Sequence, residues 1–158
     1  MNGIILLYYK YVAIQYPEQV MKWIRPLCQR LNLKGRILIG TEGINGTVGG
    51  SVEEIEEFKK EFLAHPLFIG TDLKESPGSA EHFPRLMVKV KKEIVALGID
   101  PEALTVKDTG EHLSPAQVHE LIKNNKELVI LDTRNDYESR IGKFTGAITP
   151  ELKSFRDF

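Results

Sequence analysis

The sequence predicts an α+β protein. Two helices cover one face of a four-stranded, mostly antiparallel sheet, and the start of a second, α/β unit follows. Three observations predict it. Residues 1–97 read strand, helix, strand, strand, helix, strand by their hydrophobic periods. The last of these strands alternates aliphatic and cationic residues, which gives the sheet one apolar and one charged face. Later, Leu128 to Leu131 is a continuous apolar run of the kind found in strands covered on both sides.

Ile4 to Val12 is apolar, aromatic and rich in β-formers, so it reads as the first strand. Tyr16-Pro17 opens a helix whose buried stripe is Val20, Ile24, Leu27 and Leu31. Pro26 lies inside that pattern and removes a helical hydrogen bond, which predicts a kink or a break. Gly35 to Gly40 forms a short strand, Thr41 to Gly43 a turn, and Ile44 to Val48 the return strand. Ser51 caps the second helix and Glu54 closes a capping box. Val52, Ile55, Phe58 and Phe62 supply that helix's apolar side, and His65-Pro66 ends it. A loop through Ser76-Pro77-Gly78-Ser79 leads to the last strand, Pro84 to Ala96. There Leu86, Val88 and Val90 alternate with Arg85, Met87, Lys89 and Lys91. This is the ferredoxin-like βαββαβ order.

Residues 1–97 carry 13 basic and 11 acidic side chains, and residues 98–158 carry 8 and 11. The sign changes near GIDPEALTVKDTGEHLSP, which places a linker at 98–113 between a first domain (1–97) and a second (114–158). In the second, Ser114-Pro115-Ala116-Gln117 is a capped helix start. The apolar run at 128–131 ends in Asp132-Thr133-Arg134, at the strand end where α/β proteins place sites. A parallel strand needs neighbours reached by crossovers of a dozen or more residues, and too little chain follows to supply them. The second domain is therefore expected to be incomplete, with an uncovered apolar strand or with a homo-oligomer or domain swap that covers it.

Composition excludes several classes. The net charge of −1 over 158 residues rules out binding to nucleic acid by overall charge alone, though not by a local basic face. No apolar run reaches the length of a membrane span, and the apolar N-terminus lacks the flanks of a signal peptide. One cysteine, Cys28, precludes an internal disulfide or a multi-cysteine zinc site and fits a reducing, cytoplasmic setting. His65, His82, His112 and His119 show no metal-ligand spacing, and no lysine follows the glycines of 43–50 as in a phosphate loop. No metal and no cofactor are expected.

Glu42-Gly43-Ile44-Asn45-Gly46-Thr47 admits two readings. One is a tight hairpin in which glycines supply positive φ. The other is a backbone surface that approaches RNA, with Asn45 and Thr47 as hydrogen-bonders. Arg85, Lys89, Lys91 and Lys92, with Arg36, are either a solvated strand face or a phosphate-binding patch. Tyr8, Tyr9 and Tyr11 are either packing residues or base-stacking platforms.

GRILIGTEGINGTVGGS (35–51) and FPRLMVKVKKEIVALGI (83–99) resemble the N-terminal domain of the rhodanese-like tRNA uridine hydroxylases. LDTRNDYESRIGKFTGAITP (131–150) resembles the opening of the rhodanese domain that follows in that family. EGINGTVGGS, HFP and HLSP are nearest to the family's eukaryotic branch. The resemblance implies an acylphosphatase-like first domain ahead of a rhodanese domain. It also implies an oxidoreductase that uses molecular oxygen to form 5-hydroxyuridine at the wobble position of tRNA. The family's required cysteine lies in a loop of the form C-T-G-G-I-R-C. No cysteine follows Cys28 here, so the nucleophile is expected beyond Phe158 and this chain alone is expected to be inactive.

By the same resemblance, Asp132 and Arg134 match the D-x-R at the end of a rhodanese strand. That pair, joined by Glu138, is expected to hold loops near the site. Arg36, Glu42, Asn45, Thr47, Arg85, Lys89 and Lys91 are the candidate RNA-binding set, with the tRNA anticodon arm as partner. Two alternatives stand beside this reading: a fragment of a thiosulfate or persulfide sulfurtransferase, and a non-catalytic module that binds protein through its open sheet.

Overall fold

The computed structural model describes residues 3–92, 94, 110, 111, 113–125 and 127–150. It separates into two units, residues 1–95 and 96–158. Most of the linker expected at 98–113, and His112, lie outside the described residues.

The first unit contains β1 (Gly3–Tyr11), α1 (Pro17–Arg30), β2 (Lys34–Gly40), β3 (Gly43–Ser51), α2 (Val52–Ala64), β4 (Leu73–Pro77) and β5 (Leu86–Val90). The sheet order is β4-β1-β3-β2-β5. All neighbours are antiparallel except β2 and β5, which run parallel. The ferredoxin-like class holds, but its last strand is a different segment from the one the sequence points to. The strand completing βαββαβ is β4, beside β1, in what reads as a loop approach. The aliphatic–cationic strand is a fifth, on the opposite edge.

α1 continues through Pro26 without a break. Pro26 lies on the exposed side, where the carbonyl it leaves unpaired can be hydrated. The helix ends in a Schellman turn. Asn32 takes φ 50, its N–H donates to the Gln29 carbonyl (3.1 Å), and the Leu33 N–H donates to the Cys28 carbonyl (2.9 Å). α2 starts with the expected box. The Glu54 N–H donates to Ser51 Oγ (3.2 Å) and the Ser51 N–H to Glu54 Oε2 (2.8 Å). Val52 is exposed and not part of the apolar stripe, whose buried members are Ile55, Phe58 and Phe62.

The core lies between the helices and one sheet face. Val20, Ile24, Leu27 and Cys28 of α1 and Ile55, Phe58 and Phe62 of α2 close over Leu6, Tyr8, Ile37, Ile39, Ile44 and Val48. Tyr8, Phe58, Phe62 and Phe68 pack together, with centroids 4.7 Å apart for Tyr8–Phe62 and for Phe62–Phe68. The Tyr8 ring lies against Gly46, where a Cβ would come within 2.4 Å of it. The Tyr8 hydroxyl is buried without a hydrogen-bond partner among the described residues.

The connection from β4 to β5 crosses the end of the other sheet face. A 3₁₀ turn, Ala80–His82, lies within it, and Lys34 ion-pairs Glu81 (2.8 Å). Gly49 makes this crossing possible, since a Cβ there would meet the Ser79 carbonyl oxygen at 2.5 Å. The glycines of 46 and 49 therefore serve close approach inside a strand and not the hairpin turn, which is confined to Thr41 and Glu42 between the paired Gly40 and Gly43.

In the second unit, α3 (Pro115–Asn124) opens on the expected box, with the Ser114 N–H donating to Gln117 Oε1 (2.8 Å). α4 (Asp136–Ile141) follows. Leu131 makes a single parallel bridge to Ile148, through the Asp132 N–H to the Ile148 carbonyl and the Ile148 N–H to the Ile130 carbonyl, both 2.9 Å. The run 128–131 is thus not a strand buried on both faces. Among the described residues only one neighbouring segment reaches it, and its side chains are largely exposed. Among the described residues, no helix is long and apolar enough to cross a membrane.

Candidate functional site

Strand pairing decides which candidates share a face. Tyr9 pairs Asn45, Asn45 pairs Leu38, and Leu38 pairs Lys89. Directly opposed residues point to the same side. These four form one row across the sheet, on the side away from the helices. The next row is Lys74, Leu7, Thr47, Arg36 and Met87. Of the candidate RNA-binding residues, Arg36, Asn45, Thr47 and Lys89 are thereby brought together on the open face. Arg85 and Lys91 flank β5 at its two ends and are exposed.

Glu42 stands apart. Its carboxylate accepts from the Ile94 N–H, and its main-chain carbonyl accepts from the Val12 N–H (3.0 Å). It ties the β2–β3 turn to the segment after β5 and to the chain leaving β1. Its charge also acts on Tyr11, whose phenol is pushed up by partial burial, by Glu42 and by Tyr9.

Among the three tyrosines, alternation along β1 sends Tyr8 into the core and leaves Tyr9 and Tyr11 on the open face, 49% and 39% exposed. Their rings meet edge to face at 6.3 Å. Arg36, Arg85, Lys89 and Lys91 have no ion-pair partner among the described residues, whereas Arg30 and Lys59, on the helical side, each engage two glutamates. The Arg30 guanidinium is held charged by Glu57 and Glu61, and the Lys59 ammonium by Glu56 and Glu75. These acids, three on α2 and Glu75 on β4, are neutralised on the helical side, whereas Arg36 of β2 and Lys89 of β5 have no ion-pair partner among the described residues.

The remaining titratable groups offer little chemistry. Cys28 is buried in α1, and burial pushes its thiol up to about 12, far from a thiolate nucleophile. His65 stacks on Phe68 (5.0 Å) and packs tilted against Trp23 (4.4 Å), and burial lowers its pKa. His82 accepts from the Ser79 N–H through Nδ1 (3.1 Å), at the start of the 3₁₀ turn.

In the second unit, Ile130 to Arg134 and Gly142 to Phe144 line an open cleft. Arg134 grips Asp132 with a two-pronged fork, Nε to Oδ1 (2.9 Å) and Nη2 to Oδ2 (2.7 Å), and Nη2 also donates to the Gly142 carbonyl (2.6 Å). That fork holds the Asp132 carboxyl down at about 2. Among the described residues Glu138 makes no hydrogen bond to the pair, though its charge helps hold Arg134 protonated. It accepts from the N–H (3.2 Å) and Nδ2 (2.8 Å) of Asn135 and so fixes the start of α4. With both charges satisfied by each other, Asp132 and Arg134 hold the 132–134 and 142–144 loops together.

Sequence reasoning leaves the row partners Leu7, Leu38, Lys74 and Met87 unassigned. Alternation within a single strand cannot show which strands become neighbours.

Residues 3–94 match the family of the UPF0176 acylphosphatase like domain. The chain is 45% identical over 160 residues to the tRNA uridine(34) hydroxylase of Corynebacterium glutamicum, an alignment covering 98% of this chain and 51% of that protein. It is 41% identical over 153 residues to the tRNA uridine(34) hydroxylase of Enterococcus faecalis, covering 97% and 48%. It thus spans about half the length of the curated relatives it matches. Among solved structures it is similar to BlrB, a BLUF protein in its dark state, with a TM-score of 0.51 and 25% identity over 77% of this chain and 93% of that one. The matched family, the sheet order and the two helices on one face agree, and the chain belongs to the UPF0176 acylphosphatase-like domain family.

Proposed function

We propose that this chain is the N-terminal, tRNA-positioning part of a tRNA uridine(34) hydroxylase. In this reading residues 1–97 hold the anticodon arm, residues 98–113 are a linker, and residues 114–158 begin a rhodanese-like domain. Hydroxylation itself is performed by the remainder of the longer protein. The names of the relatives support the reaction class. The observation that carries the role of this part is the open sheet face, where Asn45, Thr47, Arg36 and Lys89 share two adjacent rows. Arg85, Lys89 and Lys91 contact phosphates, and Asn45 and Thr47 reach sugar or base. Glu42 fixes the turn that leads into β3 and Asn45, its carboxylate accepting from the Ile94 N–H. A cytoplasmic location goes with this role.

Cys28 cannot serve as the nucleophile in this reading, since it is the sole cysteine of the sequence and its thiol is buried in the core. The chain alone is expected to bind tRNA without oxidising it. The test is filter binding of tRNA by the wild-type chain and the R85E/K89E/K91E variant over a range of salt concentrations. The variant is expected to lose retention, and partial charge removal to flatten the log–log salt dependence by about 0.7–0.9 for each phosphate no longer neutralised. Undiminished retention by the triple variant at every salt concentration overturns the reading.

A further inference from the structure

We propose that the open sheet face binds unpaired RNA bases splayed out of their stack, with Tyr9 as the stacking platform and the Asn45 amide as the reader of the base edge. The inference rests on the RNA-binding reading above and narrows its ligand to single-stranded loop RNA.

Four observations converge on this face. First, Tyr9 and Asn45 are directly paired across β1 and β3, so a base lying on the phenol ring has its edge beside the amide. Second, the Asn45 and Thr47 side chains make no hydrogen bond among the described residues, yet neither is sealed off from solvent. Their donors and acceptors are available to a ligand at no cost in internal bonds. Third, every charged strand position on this face is a cation: Lys34, Arg36, Lys74 and Lys89. Lys34 is ion-paired with Glu81 (2.8 Å) and Lys74 with Asp72 (3.9 Å), whereas Arg36 and Lys89 have no ion-pair partner among the described residues. Lys89 lies three strand spacings from Tyr9, about 14 Å at the usual interval between strands. Fourth, Tyr9 and Tyr11 brace each other edge to face. The stacking ring is therefore held in place before a ligand arrives, and less side-chain freedom is lost on binding.

A-form duplex RNA keeps its bases stacked and offers phosphates and 2′-hydroxyls to the outside. A surface for duplex needs cations and small polar groups, and an exposed phenol ring adds nothing to it. A sheet face that carries exposed aromatics at one side and cations at the other suits bases whose π-faces are free, with the phosphates running past the buried Leu38 towards the edge strand. The cations complement the polyanion, while the rings select its unpaired segments.

The experiment uses the full 158-residue chain. Fluorescence anisotropy compares a labelled seven-nucleotide uridine-rich RNA with a blunt RNA duplex of matched charge, at several salt concentrations. Tyr9→Ala is expected to weaken single-strand binding roughly 5- to 150-fold, the usual range for removal of one base–aromatic stack. Tyr9→Phe, which keeps the ring, is expected to retain it. Duplex binding is expected to be weaker and indifferent to Tyr9→Ala. The salt dependence is expected to be unchanged by Tyr9→Ala and reduced by R85E/K89E/K91E. Because Tyr9 is exposed, thermal melts of the variants are expected to match the wild type, which keeps folding out of the result.

If Tyr9→Ala leaves single-strand binding intact while the triple charge reversal abolishes it, the face reads phosphate only. The base-stacking proposal then falls and the RNA-positioning reading stands. If Tyr9→Ala changes self-association in sedimentation and not RNA binding, the face is a protein contact and the proposal also falls. If the wild-type chain binds neither RNA nor tRNA, both readings fall together.

Discussion

Leu6, Ile37, Ile39, Ile44 and Val48 of the first unit are fully buried, whereas Leu128, Val129 and Leu131 of the second are 37%, 69% and 47% exposed. The residue types are the same and the surroundings are not. In the first unit each central strand has a partner on both sides and a helical layer over one face. In the second, among the described residues, a single bridge to Ile148 flanks the apolar run. A β-forming run is buried by its neighbours and not by its composition, and the capping boxes that start α2 and α3 equally well do not alter that.

The largest expected difference is in hydrogen exchange. Core amides of β1, β2 and β3 should exchange only by opening of the whole first unit, against roughly 5–15 kcal/mol for an ordinary domain. Amides of Ile130 to Asp132 and Ile148 should exchange by local fraying, several kcal/mol lower. Equal protection of the two units in a verified monomer would break the contrast.

Core deletions sharpen it. Phe62→Ala removes the ring at the centre of the aromatic group and should cost the first unit about 3–5 kcal/mol in denaturant unfolding. Val129→Ala should stay within about 0.5 kcal/mol, as at an exposed site. A large effect of Val129→Ala would mean that the second unit buries that side chain in solution.

A smaller effect of opposite sign is expected at Tyr8. Its hydroxyl is buried without a partner among the described residues, and burial and the nearby Cys28 push its pKa well up. Tyr8→Phe removes an unsatisfied polar group and keeps the ring, so stability should rise, by about 1 kcal/mol, or hold level. A clear drop on calorimetry would show that the hydroxyl does have a partner in solution.

The smallest expected effect concerns one ion pair in the second unit. Asp132 has its carboxyl lowered in the folded state, so its contribution is present above the ordinary carboxylate range near 4 and fades as pH falls towards about 2. Carboxyl carbon shifts followed by NMR should place its midpoint near 2, and Arg134→Ala should return it to the ordinary range. A midpoint in that ordinary range for the wild type would mean that the fork does not persist in solution.

These contrasts also show what can be read from residues alone. Both capping boxes, the alternation of β5 and the helical stripes are legible, because each is a local pattern with a local cause. β4 is not. Its segment, Leu73-Lys74-Glu75-Ser76-Pro77, is polar and ends in proline, and it is a strand only because β1 offers it an edge. Pro26 suggests a break, which does not occur because the site it disturbs faces water. Asn32 gives no warning of the αL turn that ends α1. The candidate site is half visible. Its cations and its Asn-Gly-Thr segment stand out, but Tyr8, Tyr9 and Tyr11 can be divided between core and surface only by the register with β3. Glu42 looks like a ligand-facing acid, and only the structure shows that its carboxylate accepts from the Ile94 N–H.

The crossing between Pro77 and Leu86 sets a rule of length. It must carry the chain from one border of the sheet to the other, four strand intervals or about 20 Å. Nine extended steps would reach about 30 Å, and the 3₁₀ turn consumes part of that slack. Removing three residues would leave about 20 Å of reach, with nothing to spare for rising over the side chains beneath. Added residues should therefore be tolerated in this span and deletions should not, since a shorter tether would pull β5 and its cations off the sheet.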